Sequence, residues 1–126
     1  MPARNSVAVW FEIPAADFER AVAFYEGLFA TTLKRETMGA SRLGVFPYAE
    51  GEGVSGCVFA APHVKPSPDG AIVYLNCDGR LEAMLGRLEA LGGKAAGPVV
   101  NLPEGMGRFV HVVDSEGNRV GLHEAA

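Results

Sequence analysis

Val7-Ala8-Val9-Trp10-Phe11-Glu12-Ile13-Pro14-Ala15-Ala16-Asp17-Phe18-Glu19-Arg20-Ala21-Val22-Ala23-Phe24-Tyr25-Glu26 holds the pattern on which the fold turns. Its first seven residues are rich in β-branched and aromatic side chains, which favour a strand. After the Pro14 break, Phe18, Ala21, Val22 and Tyr25 recur at helical spacing, so one apolar stripe runs along a helix. Asp17 stands just ahead of that stripe, where a short carboxylate accepts bonds from the first free N–H groups.

The same order returns about sixty residues later. Ala71-Ile72-Val73-Tyr74-Leu75-Asn76-Cys77 is strand-like, and Leu81, Met84, Leu85, Leu88 and Leu91 form the next helical stripe. Asp78 is its expected cap, and Gly92-Gly93 its expected stop, because glycine takes the left-handed closing conformation. Short strand-like stretches follow each helix: 31–36, 42–48 and 53–60 in the first half, 94–100, 108–113 and 118–124 in the second. Asp114-Ser115-Glu116-Gly117-Asn118 has turn chemistry and joins the last two. The repeat predicts an α+β fold of two βαβββ modules around a shared cavity. Module one covers about 5–61, a Pro-rich linker 62–70, and module two 71–124, all within a single domain, 1–126.

Composition narrows the function. The chain is 48% hydrophobic and 21% charged with a net charge of -4. That balance gives no basic footprint for nucleic acid or an anionic membrane. No apolar run approaches the roughly 18 residues of a spanning helix. Two cysteines, Cys57 and Cys77, are too few for a disulfide framework and read as buried small hydrophobes. A cytoplasmic setting is expected by default. No phosphate-binding glycine loop, nucleophile elbow or CxxC pair is present.

Two segments carry a resemblance. Trp10-Phe11-Glu12-Ile13-Pro14 with Asp17 and the Glu19 to Glu26 helix resembles the opening of the vicinal oxygen chelate superfamily. Gly107-Arg108-Phe109 with Asp114-Ser115-Glu116-Gly117-Asn118-Arg119-Val120-Gly121-Leu122 is similar to its last hairpin. The superfamily includes glyoxalase I, extradiol dioxygenases, fosfomycin-resistance enzymes and bleomycin-resistance proteins. The resemblance implies two βαβββ modules forming a cupped eight-stranded sheet around a cavity, frequent dimerisation (a homodimer is expected here) and, in enzyme members, one divalent metal held by His, Glu or Gln from four strand positions. Those positions fall on Trp10, Ile72, Gly121 and, within one residue, Gly56, with Ser55 or Cys57 its neighbours. Trp10, Ile72 and Gly121 lack the oxygen, nitrogen or thiolate donors that a divalent ion needs. The expectation is therefore no metal and no cofactor.

Strand alternation turns Val9, Phe11, Ile13, Val73, Leu75, Cys77, Val120 and Leu122 toward the helices, and Trp10, Glu12, Ile72, Tyr74, Asn76, Gly121 and His123 toward the cup. Phe109 and His111 share one face of their strand and are further candidates. Trp10 suits stacking on a flat ligand or packing at a dimer contact. Glu12 and His123 fit either an acid–base pair or polar residues at strand ends near solvent. A carboxylate beside an indole would lose hydration and its pKa would rise, which suits proton transfer. His63 belongs to the solvated linker, and 101–107 is a connecting loop or a lid, with the connection the leading reading. The leading expectation is a protein that binds a small, partly apolar molecule through Trp10, Glu12, Ile72, Tyr74, Phe109, His111, Gly121 and His123. The alternative is a lyase or isomerase similar to lactoylglutathione lyase, with Glu12 and His123 as catalytic groups or as a non-standard metal site. A dimeric domain with an occluded cup is the third.

Overall fold

The computed structural model describes residues 6–48 and 53–126. The first module runs β1 (Trp10–Pro14), α1 (Phe18–Phe29), β2 (Lys34–Met38), β3 (Ser41–Val45) and β4 (Ser55–Ala60). The second runs β5 (Tyr74–Asn76), α2 (Leu81–Leu88) with a 3-10 turn (Glu89–Leu91), β6 (Lys94–Ala95), β7 (Val100–Asn101), β8 (Arg108–Val113) and β9 (Arg119–Glu124). The repeat is thus real, and the architecture is α+β.

The strands do not join into one eight-stranded sheet among the described residues. They form a four-stranded sheet in the order β1-β4-β3-β2 and a second in the order β5-β9-β8-β6, with β7 also on β8. In each, the first strand lies parallel to the last and is left as an edge. The expected strand 94–100 breaks into β6 and β7. Gly97-Pro98 interrupts it, since proline has no N–H for a ladder. The opening strands are also shorter than 7–13 and 71–77, because only Trp10–Pro14 and Tyr74–Asn76 have a partner strand.

Asp17 caps α1 as expected, its carboxylate accepting the Arg20 N–H at 3.1 Å. Asp78 does not cap α2. Arg80 is the capping residue and offers no side-chain bond. Asp78 instead accepts the Ala125 N–H, while Glu124, reaching in from β9, accepts the Leu81 N–H at 3.2 Å. The Leu81 N–H and the Arg108 guanidinium hold the Glu124 carboxyl below its ordinary value. Gly92 closes the second helical stretch in the left-handed conformation.

One core serves both modules. Phe18, Val22, Phe24, Tyr25, Leu28, Leu81, Met84 and Leu88 from the helices meet Ile13, Val58, Leu75, Val110, Val112, Val120 and Leu122 from the sheets. Cys57 and Cys77 are buried free thiols, pushed up to about 12 and about 11 by desolvation.

The turn between β8 and β9 clamps the modules together. Glu116 accepts the Ala16 and Asp17 N–H groups at 2.9 and 2.7 Å and pairs with Arg20 at 2.6 Å. Asn118 donates to the Pro14 carbonyl at 2.6 Å. Burial pushes the Glu116 carboxyl up, but Arg20, the Asp17 N–H and the Ser115 hydroxyl outweigh it and hold it below its ordinary 4.5. A carboxyl lowered on folding stabilises the fold above its unfolded pKa, and that contribution disappears as pH falls through the folded value. Urea unfolding followed from about pH 7 to about pH 3 should therefore show a shallower acid loss for Glu116→Gln than for the natural chain. An unchanged acid limb would remove Glu116 from the account.

Candidate functional site

Alternation along the second sheet sets its open face. Val110, Val112, Val120, Leu122 and Leu75 point to the core and are buried. The residues between them face away from the helices. Register places Tyr74 and His111 on either side of Gly121, and Asn76 and Phe109 on either side of His123.

Four side chains there touch or anchor closely. The Tyr74 ring meets Phe109 edge-on at 5.5 Å, and Phe109 lies 5.2 Å from the His111 ring. The Tyr74 hydroxyl and His111 Nε2 are 2.7 Å apart, and His123 Nε2 lies 2.7 Å from the Met106 carbonyl oxygen. Gly121 is what lets the cluster form. A Cβ at that position would overlap ring carbons Cδ2 and Cε2 of Tyr74. Tyr74 remains 48% exposed, so the cluster is an aromatic and imidazole platform open to solvent.

Trp10 and Glu12 lie elsewhere. Both are exposed on the helix-free face of the first sheet, paired across to Ser55 and Cys57. Glu12 lines a recess of about 290 Å³ with Pro14, Lys65, Ser67, Asp69, Asn118 and Arg119. Ile72 is half-buried just ahead of β5. His63 is exposed in the linker. Of the expected residues, then, Tyr74, Phe109, His111, Gly121 and His123 share one sheet face. Glu12 and His123, the expected acid–base pair, lie on different sheets, and Glu12 faces solvent because β1 is an edge.

A cleft of about 560 Å³ contains only Tyr74 of that set. It opens between the unpaired edges β1 and β5. Phe11, Phe29, Phe46, Thr31 and Ser55 line one side, and Tyr74, Asn76, Asp78 and Arg80 the other. Alternation assigns Phe11 to the core, and its ring does pack on the Phe46 ring at 5.8 Å, yet both stay half-exposed at this gap. Only the separation of the two sheets creates the cleft, so nothing in residue pattern marks it.

No family model matches the chain, and no curated protein matches it. Solved structures do. A glyoxalase I variant from Zea mays superposes with a TM-score of 0.67 at 21% identity over 92% of this chain, which spans 45% of that protein. FosX, a fosfomycin resistance protein from Listeria monocytogenes, gives 0.68 at 16% identity, covering 98% of this chain and 96% of its own. TnmS3, an antibiotic binding protein from a Streptomyces species, gives 0.66 at 25% identity, covering 98% and 100%.

The chain has the vicinal oxygen chelate fold. The metal that enzyme members of this fold carry does not fit here. Trp10 and Ile72 supply no donor, and the space beside Gly121 is filled by the Tyr74 ring. At Gly56 an added Cβ would meet the Phe11 backbone and ring. Among the described residues no group of three His, Cys, Asp or Glu side chains is placed to hold an ion. Aromatic rings thus stand at or beside the strand positions that the resemblance assigns to metal ligands.

Proposed function

We propose that this protein binds a small, partly apolar molecule against the open faces of its sheets, with no metal at the ligand positions of the fold. The observation that carries this is Gly121. A ligating side chain there would displace Tyr74, whereas glycine seats the ring and leaves a half-exposed platform with Phe109 and His111. Aromatic faces with a few polar atoms suit flat organic ligands. Trp10 would stack on the ligand, while Tyr74, His111 and His123 would fix its polar groups, with Ile72 and Glu12 at the margins. The likeness to an antibiotic binding protein fits this.

A second copy would complete the site. Val9, Trp10 and Tyr74 are 47%, 41% and 48% exposed, on or beside the two edge strands. Bringing the open sheets of two chains together would bury these residues and form the cup; sedimentation should accordingly show a dimer. The proposed setting is the cytoplasm, where Cys57 and Cys77 stay thiols. No described helix is long and apolar enough to cross a membrane.

The enzymatic alternative needs Glu12 and His123 at one reacting centre. Their placement on different sheets favours binding. Titration with a panel of flat, partly apolar antibiotics should quench or shift the emission of the single tryptophan, Trp10, saturably for at least one member. Phe109→Ala should weaken that ligand about tenfold, the scale of losing one aromatic contact. Stoichiometric zinc, nickel, manganese or iron in protein purified without chelator, lost on Glu12→Ala, would overturn the proposal. A Trp10 unresponsive to the whole panel would instead favour an occluded domain.

A further inference from the structure

We propose that the cleft between β1 and β5 is a second ligand site, specific for a flat aromatic molecule carrying an anionic group. Its volume, about 560 Å³, lies within the range of small-molecule pockets. Its apolar wall is built of rings. Phe46 is the hub, with Phe11 at 5.8 Å and Phe29 at 5.9 Å. Such rings at different tilts offer both face and edge to an inserted ring.

The charge preference comes from Arg80. Arg20, Arg35, Arg42 and Arg108 are each paired with a carboxylate. Arg80 is the cation lining this cleft, and among the described residues it donates only to backbone carbonyls, of Phe29 at 3.4 Å and Asn76 at 3.2 Å. Its guanidinium lies over the Phe29 ring, 5.4 Å from the centroid, so it borders the apolar wall directly. The neighbouring Asp78 carboxylate already accepts the Ala125 N–H at 2.7 Å. An acidic substituent on an aromatic ligand would reach Arg80 while the ring lies on Phe46. Thr31 and Asn76 add hydroxyl and amide groups at the same rim.

This site is distinct from the aromatic platform on the open face of the second sheet; Tyr74 and Asn76 border both. Naphthoate and its uncharged amide serve as probes, titrated calorimetrically into the full chain. One-to-one saturable binding of naphthoate is expected, with the amide about tenfold weaker, the usual scale of one charge-assisted bond. Arg80→Gln should bring naphthoate down to the level of the amide. Val54→Trp, at an exposed rim position of the cleft, should abolish both without touching the core. Phe109→Ala should leave both unchanged. Absence of saturable binding overturns the proposal, and so does binding that survives Val54→Trp. Loss on Phe109→Ala alone would move the probe to the open face, overturning the cleft and not the proposed function. Equal affinity for acid and amide overturns the anionic preference. If Arg80→Gln fails to fold, Val54→Trp and the acid–amide pair still decide.

Discussion

Replacing Asp114 with alanine should lower the unfolding free energy by about 3–5 kcal/mol, the scale of orphaning several buried donors at once. Asp114 is 3% exposed and its two oxygens accept four bonds. Oδ1 takes the Glu116 and Asn118 N–H groups, each at 2.9 Å. Oδ2 takes the Tyr25 hydroxyl at 2.6 Å and the Asn118 amide at 3.1 Å. Burial and then the Asp114 charge push the Tyr25 hydroxyl well above its ordinary value, so it stays a donor across the usable pH range. Without the carboxylate those donors lose their partner in a place water does not reach, and the turn holding Glu116 and Asn118 loses its shape. Against a typical total of about 5–15 kcal/mol that is a large share. Urea unfolding followed by circular dichroism should show it as a fall of the midpoint. Tyr25→Phe, which removes one donor and leaves three, should cost only about 1–2 kcal/mol. A loss below that of Tyr25→Phe would mean that the turn holds its shape without Asp114.

The second large effect is expected at Gly56. An added methyl would strike the backbone carbonyl of Phe11 as well as its ring, so β1 and β4 must separate for alanine to fit. Overpacking ordinarily costs about 1–3 kcal/mol, and a collision with backbone belongs at the top of that range or above. Gly121→Ala is the informative comparison. It lies in the last strand of the second module, as Gly56 does in the first, but on the open face, where its methyl would meet only ring carbons of Tyr74. That ring is half-exposed and can turn outward, so the stability loss should stay under about 1 kcal/mol. The cost falls on the platform instead: the Tyr74 and His111 contact breaks, and ligand binding weakens. Thermal unfolding of both variants, beside titration of the Gly121→Ala protein, separates the two cases. Equal destabilisation would show that Tyr74 is locked rather than seated.

The repeat and its helices were legible because each rests on local pattern. Phe18, Ala21, Val22 and Tyr25 recur at the spacing of one helix face, and Asp17 has its partner, the Arg20 N–H, three residues away. The alternation of Val120 and Leu122 against Gly121 and His123 likewise follows from the geometry of a single strand. What escaped depends on partners far along the chain. Asp78 has the chemistry of a cap, but Glu124 from β9 arrives at the Leu81 N–H in its place. Tyr25 reads as core from its spacing, while its hydroxyl answers to Asp114. The cleft belongs to neither module alone; Phe46 and Arg80 border one gap only because the sheets stop short of pairing. Glu12 and His123 each fit the cup by alternation, and only the division into two sheets sets them apart.

The clamp at 114–118 also has a consequence in time. Glu116 bonds Ala16 and Asp17, residues 100 and 99 positions earlier. At about 5–20 residues per second of ribosomal synthesis, the amino-terminal module waits on the order of 5–20 s before its fastening has been made. During that interval Tyr25 lacks its acceptor, while the far edge of the first sheet is bare, as it is in the finished fold. That edge, β2, reads Lys-Arg-Glu-Thr-Met and is exposed along its length. Charged side chains on a bare edge discourage pairing with a neighbouring chain. The nascent module therefore carries protection against aggregation along that edge before the last hairpin emerges to fasten it at Ala16 and Asp17.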